Sequence, residues 1–131
     1  MPNLKILLVD DEEDFRKILG VRLKGWGYDV IEADSGKVAI DMVVHQEPNI
    51  IILDFLMPDM DGAATLKEIR KFNSKIPVIM FTAHLHEKTI EEVRELGVSA
   101  FVPKISAYTD TIAALQAALK MVDDQSHNTP R

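Results

Sequence analysis

Short apolar runs alternate with segments of helical period along the chain, and this alternation restricts the possible folds more than any other feature. Five runs rich in Val, Ile and Leu predict β-strands, at 4–10, 28–33, 49–54, 76–82 and 98–103. The first, third and fourth runs are apolar almost without interruption. That pattern is typical of parallel strands that are covered on both faces of their sheet.

The segments that follow these runs predict five helices, at 13–27, 35–46, 61–72, 87–96 and 109–122. In the first helix, four apolar residues are spaced as one buried face: Phe15, Ile18, Leu19 and Leu23. The last helix has a similar face: Ile112, Leu115, Leu119 and Val122. We expect Ser35 to cap the second helix and Gly97 to end the fourth. Residues 1–122 are predicted to form one domain, and the polar residues 123–131 a tail or linker stub.

Strict strand–helix alternation with right-handed crossovers predicts an α/β fold. We expect a single-domain, doubly wound, five-stranded parallel sheet in the flavodoxin-like order 2-1-3-4-5, with helices on both faces. In such sheets, ligands bind outside the carboxyl ends of the strands, beside the point where the strand order reverses. The residues at those strand ends are therefore the candidates for function.

Charge and composition exclude several classes of function. The chain has 15 basic and 21 acidic residues, a formal net charge of −6, which disfavours direct binding of nucleic acid. The absence of cysteine excludes disulfides, thiolate zinc sites and thiol catalysis. The amino-terminal apolar run is too short for a signal peptide, and no run is long enough to span a membrane. We therefore expect a soluble cytoplasmic protein.

Five chemically active residues are predicted at the carboxyl ends of the strands: Asp10, Asp11, Asp54, Thr82 and Lys104. Each one alone has an ordinary explanation, as a helix cap, a turn residue, a strand end or a surface lysine. Together they suggest chemistry, because three neighbouring carboxylates repel one another unless a cation compensates them. Oxygen ligands without His or Cys favour Mg²⁺, and a lysine and a hydroxyl opposite the ion suit a phosphoryl group. A carboxylate can itself be the nucleophile that accepts this group.

Four motifs carry a resemblance to a known family: "ILLVDDE" (6–12), "LDFLMPDMDG" (53–62), "VIMFTA" (78–83) and "FVPK" (101–104). In this order, and on these elements, they resemble the response-regulator receiver domains of two-component signalling, of the chemotaxis-receiver type. The resemblance implies a regulatory phospho-acceptor rather than an enzyme, with only self-phosphorylation and self-dephosphorylation chemistry. The phosphoryl donor would be a histidine kinase or a histidine phosphotransfer protein. The signal would leave through the fourth helix, fifth strand and fifth helix.

The resemblance also implies a magnesium site and a nucleophile. Asp54 would be the phospho-acceptor and a metal ligand. Asp11 would bind Mg²⁺ directly, and Asp10 would be its acidic partner, acting through water. The backbone carbonyl of Leu56 would be a further ligand. Two acidic residues that follow, with a glycine, are better explained as the cap and first turn of the third helix: Asp59, Asp61 and Gly62.

The remaining implied roles concern the phosphoryl group and the switch. Lys104 would pair with a phosphoryl oxygen, and the Thr82 hydroxyl would move to hydrogen-bond the group. The Ala83 backbone N–H, beside the Leu56 backbone, would help to bind the phosphoryl group. Phe101 would rotate inward together with Thr82.

Two positions depart from the family pattern. Ile105 follows Lys104 where the family usually has proline after a cis bond, and a cis bond before a non-proline residue costs about 2.5–4 kcal/mol. Either the site supports that strain, or the loop is trans and Lys104 is placed differently. Leu56 occupies a position, two after the acceptor, that is often polar. We expect it to hinder water and slow dephosphorylation. The histidines of "HLH" (84–86) are predicted to be solvated loop residues.

Other functions stay open at this stage. A Mg²⁺-dependent phosphohydrolase of the haloacid-dehalogenase type would need a second aspartate where this chain has Leu56. A flavin-binding flavodoxin would need a Ser, Thr and Gly phosphate loop where this chain has "VDDEEDF". The domain could also bind partners without phosphorylation, or be a receiver excised from a larger transcription regulator or hybrid kinase. The sequence does not identify the kinase, the output or the oligomeric state.

Overall fold

Among residues 3–83, 87–104 and 108–128, which the computed structural model describes, five parallel strands form one sheet and alternate with five helices. The strands are β1 (Lys5–Val9), β2 (Asp29–Ala33), β3 (Ile50–Asp54), β4 (Val78–Thr82) and β5 (Ala100–Pro103). The helices are α1 (Glu13–Gly25), α2 (Gly36–Gln46), α3 (Gly62–Arg70), α4 (Glu87–Glu95) and α5 (Tyr108–Asn128). The predicted α/β class and the number of elements are thus confirmed.

The order of the strands in the sheet is β2-β1-β3-β4-β5, as predicted. Val9 of β1 lies opposite Leu53 of β3, and Asp54 lies opposite Phe81 of β4. Thr82 in turn lies opposite Pro103 of β5. This register brings the ends of four strands to one edge of the sheet, with the reversal of strand order between β1 and β3.

Alternate residues of the strands face two separate apolar cores, because successive side chains of a strand point to opposite faces. On one face, Leu53 packs in a core with residues of α2, α3 and α4. On the other face, Ile52 packs in a core with residues of α1 and α5. Every residue of β3 is buried. The central strand is therefore held from both sides, and so is the residue at its end.

Three predicted helix ends are confirmed. Ser35 Oγ accepts a hydrogen bond from the backbone N–H of Val38 at 3.2 Å, at the start of α2. Asp61 Oδ1 accepts one from Ala64 at 2.8 Å, at the start of α3. Gly97 follows α4 with a φ of 84°, a conformation in which L side chains are strained. Ser35 and Asp61 thus end the loops at the carboxyl edge of the sheet, and Gly97 begins the loop that leads from α4 to β5.

Two predictions about helices are wrong in part. Ile18 is 54% exposed, because the buried stripe of α1 follows Phe15, Leu19 and Leu23, and Ile18 lies to one side of it. The helix α5 extends to Asn128 rather than ending at residue 122. A helix that has already formed can be extended through polar residues, because each added residue gains a backbone hydrogen bond. The predicted core face of α5 is confirmed, from Ile112 through Val122. None of the described helices combines the length and the apolar character needed to cross a lipid bilayer.

Candidate functional site

Asp10 is held at the end of β1 by its own backbone. Its N–H donates to the carbonyl of Ala33 at 3.1 Å, and its carbonyl accepts from Arg16 Nη1 at 2.7 Å. Its side chain does not cap α1. Instead, Oδ1 accepts from the N–H of Glu12 at 2.9 Å, and Glu12 occupies the cap position. Asp10 is 1% exposed. The sheet therefore holds this carboxylate in a buried place.

Asp54 is the last residue of β3 and is 3% exposed. The next peptide continues the sheet pairing, since the N–H of Phe55 donates to the carbonyl of Phe81 at 2.9 Å. Gly62 packs directly on this turn. A methyl group at Gly62 would lie 2.7 Å from the carbonyl oxygen of Asp54 and 2.8 Å from Cα of Phe55. A glycine is required there because the start of α3 closes against the backbone of the candidate nucleophile.

Lys104 follows β5 directly, and its ammonium lies among three carboxylates. Nζ is 2.9 Å from Asp10 Oδ2, 3.2 Å from Asp54 Oδ2 and 3.2 Å from Glu12 Oε1. Its side chain is 13% exposed. The sequence predicted that Lys104 and the two aspartates converge, but it gave no reason to include Glu12. The structure thus brings a single ammonium group to the carboxyl ends of β1 and β3.

Three carboxylates form an acidic cluster, which we define as Asp10, Asp11 and Asp54. Each offers an oxygen atom, and these atoms lie within 4.8 Å of one another. Asp10 Oδ2 is buried and accepts no hydrogen bond from the described residues. This atom faces the ammonium of Lys104 as an ion pair, with 2.9 Å between Nζ and Oδ2. A hard cation with oxygen ligands, such as Mg²⁺, fits this donor set.

Burial changes the ionisation of the site. Desolvation, together with the charge of Asp10, raises the pKa of Asp54 from 3.8 to about 7, against the opposing effect of Lys104. Desolvation also raises the pKa of Asp10. Burial lowers the pKa of Lys104, but its close contacts with the carboxylates of Asp10 and Asp54 outweigh this effect and raise the pKa to about 12. Among the described residues, the ammonium of Lys104 thus faces three carboxylates, those of Asp10, Glu12 and Asp54.

The predicted switch residues are described only in part. The backbone of Thr82 ends β4, but its side chain lies outside the described part of the structure, as do His84, the rest of "HLH" and Ile105. Both geometries of the bond after Lys104 consequently stay open. Phe101 is half-buried against the core on the α2, α3 and α4 side of the sheet. The switching roles of these residues, and the metal-binding role of the Leu56 carbonyl, stay predictions.

Sequence reasoning missed two supports of the site. Arg16 binds the carbonyl of Asp10 and also pairs with Glu32 of β2, with 2.8 Å between Nε and Oε1. Phe15 was expected to be a core residue only, yet its ring lies close to the ammonium of Lys104. The first turn of α1 comes directly after Asp10 and Asp11 in the sequence. That proximity is a signal that side chains of this turn lie near the site. Their partners, however, depend on distances that only the fold supplies.

Comparison with known proteins shows which family this chain resembles. The family model described as "Response regulator receiver domain" matches residues 6–116. A probable transcriptional regulator, ycf27, of Porphyridium aerugineum is 37% identical over 98% of this chain and 53% of its own length. The transcriptional regulatory protein ZraR of Escherichia coli K12 is 37% identical over 98% of this chain and 29% of its own length. The chain thus spans about half, or less, of these curated relatives.

Solved structures agree with the fold. The chemotaxis protein CheY4 of Vibrio cholerae is 26% identical, with a TM-score of 0.76 over 88% of this chain and 98% of its own. A CheY-like receiver domain protein of Methanospirillum hungatei shares the fold, with a TM-score of 0.86 at 21% identity, over 97% of this chain and 99% of its own. The family match runs from the second residue of β1 through β5 and into α5, and it includes the acidic cluster and Lys104. This chain therefore belongs to the response regulator receiver domain family.

Proposed function

We propose that this domain is a phosphorylation-dependent switch of a two-component system, in which Asp54 accepts a phosphoryl group from a histidine kinase or a histidine phosphotransfer protein. The proposal depends above all on one observation. The carboxylate of Asp54 is buried at the end of the central strand, 3.2 Å from the ammonium of Lys104 and within the acidic cluster. This grouping supports the proposal, because phosphoryl transfer to a carboxylate would need a nucleophile, a counter-charge and metal ligands close together.

The transfer needs only a substitution at phosphorus. A carboxylate oxygen of Asp54 forms a bond to phosphorus while the P–N bond to the donor histidine breaks, and the bonding pair leaves with the imidazole. Asp54 must be deprotonated to attack, and its pKa of about 7 in the apo protein works against this. Lys104 supplies the charge that the phosphoryl oxygens require. Its ammonium already lies 3.2 Å from the Asp54 carboxylate that would carry the group.

The acidic cluster would hold Mg²⁺ through Asp10, Asp11 and Asp54, with the backbone carbonyl of Leu56 as a further ligand. Bound there, the ion would offset the repulsion between the carboxylates and the negative charge of the incoming phosphoryl group. The buried Oδ2 atom of Asp10, which accepts no hydrogen bond from the described residues, supports this assignment. Asp11 is exposed and so is accessible to an ion that arrives from solvent.

We propose that the signal leaves through α4, β5 and α5, with Thr82 and Phe101 as the switch and the Ala83 N–H as a phosphoryl donor. One observation supports a movable α4, and another supports a movable Phe101 in β5. The helix α4 contributes one buried residue, Val93, whereas α3 contributes five. Phe101 is half-buried rather than sealed in the core. A local change of charge can bias an element that little burial holds in place.

The context of the domain is also a proposal. Because the chain spans only part of its curated relatives, it fits a receiver excised from a larger transcription regulator or hybrid kinase, as well as a stand-alone receiver. We propose that it acts in the cytoplasm, without direct contact to nucleic acid, through protein partners. Its own chemistry would be limited to Mg²⁺-dependent self-phosphorylation and self-dephosphorylation.

Intact mass spectrometry after incubation with acetyl phosphate and Mg²⁺ tests the proposal. We expect one phosphoryl group on the wild type, none on Asp54→Asn, and none when Mg²⁺ is chelated. Asp29→Asn, which changes an exposed carboxylate at the opposite end of a strand, should accept the group like the wild type. An unmodified wild type would favour a receiver that binds its partners without phosphorylation. An adduct that persists in Asp54→Asn would place the acceptor elsewhere.

A further inference from the structure

The ammonium of Lys104 lies beside two aromatic rings. Nζ is 4.6 Å from the ring centroid of Phe15 in α1 and 5.5 Å from that of Phe81 in β4. The two rings contact each other, with centroids 5.4 Å apart and an angle of 36° between their planes. Both distances from the ammonium are within the range of a cation–π interaction. Lys104 is therefore bordered by ring faces as well as by carboxylates.

The two kinds of neighbour act on the ammonium differently. A carboxylate takes one of its three N–H donors, whereas a ring attracts the positive charge and leaves the donors available for oxygen atoms. Asp54 Oδ2 and Glu12 Oε1 already accept hydrogen bonds from Nζ. The rings can consequently hold the ammonium at the site while its donors change from carboxylates to another oxyanion.

Lys104 needs such support more than most side chains. Lysine carries a compact charge on a flexible four-carbon stem, so its chain does not define where the charge lies. The next residue is Ile105, where similar receivers usually have a proline that restricts the backbone. Phe81, in contrast, is fully buried and lies opposite Asp54 in the sheet. It supplies a fixed surface for the ring of Phe15.

We propose that Phe15 is a positioning residue for Lys104: its ring face, supported by Phe81, keeps the ammonium at the carboxyl ends of β1 and β3, ready to pair with a phosphoryl group on Asp54. The last part of this proposal rests on the proposed function. The first part, the ordering of the ammonium by the ring, does not.

The competing explanation is that Phe15 only fills space between α1 and the sheet, where it packs against the core formed with α5. Two substitutions separate these roles. Phe15→Leu keeps an apolar side chain and removes the ring, whereas Phe15→Tyr keeps the ring. Phe72→Leu, which removes a half-exposed ring far from Lys104 in the chain, controls for loss of an aromatic residue. If Phe15→Leu does not fold, Phe15→Met is a second variant without a ring.

The first measurement is the NMR order parameter of the Lys104 ammonium group in the unphosphorylated protein, with the exposed Lys24 as the internal reference. We expect an ordered ammonium in the wild type, Phe15→Tyr and Phe72→Leu. In Phe15→Leu we expect it to approach the mobility of Lys24. An ammonium that stays as ordered in Phe15→Leu as in the wild type would overturn the proposal. This result does not depend on whether Asp54 accepts a phosphoryl group.

The second measurement is the rate of phosphorylation by acetyl phosphate. We expect Phe15→Leu to lower the rate roughly fivefold to tenfold, the effect of losing a partly desolvated cation–π contact, and Phe15→Tyr to restore most of it. In a Lys104→Met background, Phe15→Leu should cause no further loss, because Phe15 acts through Lys104. An equal loss in both backgrounds would mean that Phe15 acts through packing alone. A wild type that accepts no phosphoryl group would refute the proposed function, and the NMR measurement would still decide the role of Phe15.

Discussion

The middle and the end of β3 are equally buried but contribute to stability in opposite directions. Ile51, Ile52 and Leu53 have no exposed surface, and Asp54, the next residue, is 3% exposed. An isoleucine or leucine stabilises the fold by about 1.5–3 kcal/mol when it leaves water. The carboxylate is destabilised by the same transfer, because its charge loses hydration. One strand thus shows how an apolar core offsets the cost of a charged site.

The pKa of Asp54 indicates the size of that cost. It is raised from 3.8 to about 7, and each pKa unit corresponds to about 1.4 kcal/mol. The difference of about three units therefore gives, to order of magnitude, a few kcal/mol against the ionised form. This is comparable to the contribution of one or two core residues. A loss of stability of this kind at the edge of the sheet is typical of functional sites.

The largest expected effect is in the middle of the strand. Ile52→Ala should lower the free energy of unfolding by about 2–5 kcal/mol, because it removes fully buried methyl groups and leaves a cavity between α1, α5 and the sheet. Urea denaturation measures this change. Val44→Ala, at a half-exposed position of α2, should change stability by less than about 1 kcal/mol. Equal effects of the two substitutions would contradict the distinction between core and edge.

The second largest effect should be a gain in stability rather than a loss. Asp54→Asn should raise the free energy of unfolding at pH 8, without divalent ions, by about 1–3 kcal/mol. The pKa of Asp54 is higher in the folded state, so the folded protein binds the proton more tightly between about pH 4 and pH 7. Wild-type stability therefore falls as the pH rises through this window, and the advantage of the variant grows.

Urea denaturation at pH 5 and at pH 8 checks this prediction. Most of the gain should be present at pH 8, above the folded pKa, and much of it should be lost at pH 5. Asp29→Asn, at an exposed acid of β2, should show little change at either pH. A gain of the same size at both pH values would mean that burial of the charge is not its cause.

A smaller effect should follow the addition of Mg²⁺. A ligand that binds only the folded state, at ten times its Kd, adds about 1.4 kcal/mol to the free energy of unfolding. At pH 8 the wild type should gain this stability, because the ion compensates the acidic cluster. Asp11→Asn should gain much less, since it removes an exposed ligand but leaves the buried carboxylates in place. Equal gains in both proteins, or a gain reproduced by NaCl at matched ionic strength, would argue against a specific site.

The contrast between the core and the edge of the sheet also explains which features the sequence predicts and which it does not. The five strands follow from local apolar runs, and their predicted order follows from the flavodoxin-like arrangement of doubly wound sheets. The caps at Ser35 and Asp61 follow from local side-chain chemistry. The exposure of Ile18 was missed because a helical period defines a face only approximately. The length of α5 was missed because polar residues can extend a helix without apolar contacts.

Some contacts of the candidate site could be predicted from the sequence, and others could not. The convergence of Asp10, Asp54 and Lys104 was predicted, because parallel strands end at a common edge. The contacts of Glu12 and of the Phe15 ring with the ammonium of Lys104 were not predicted. Those contacts depend on the angle at which α1 leaves β1 and on side-chain rotamers, neither of which has a local signal. Positions in a fold are thus easier to predict than the partners of a side chain.

The smallest expected effect concerns Leu56, two residues beyond Asp54, where the edge of the sheet meets solvent. Its side chain is apolar and 49% exposed, so we expect it to hinder water that approaches a phosphoryl group on Asp54. Leu56→Asn should shorten the half-life of the phosphorylated protein about twofold to fivefold, a change of less than about 1 kcal/mol in the barrier. The decay of the phosphoprotein mass after removal of acetyl phosphate measures it. Val44→Asn, which places the same amide on the exposed face of α2, should leave the half-life unchanged. If Leu56→Asn does not shorten the half-life, the apolar side chain of Leu56 does not protect the phosphoryl group from water.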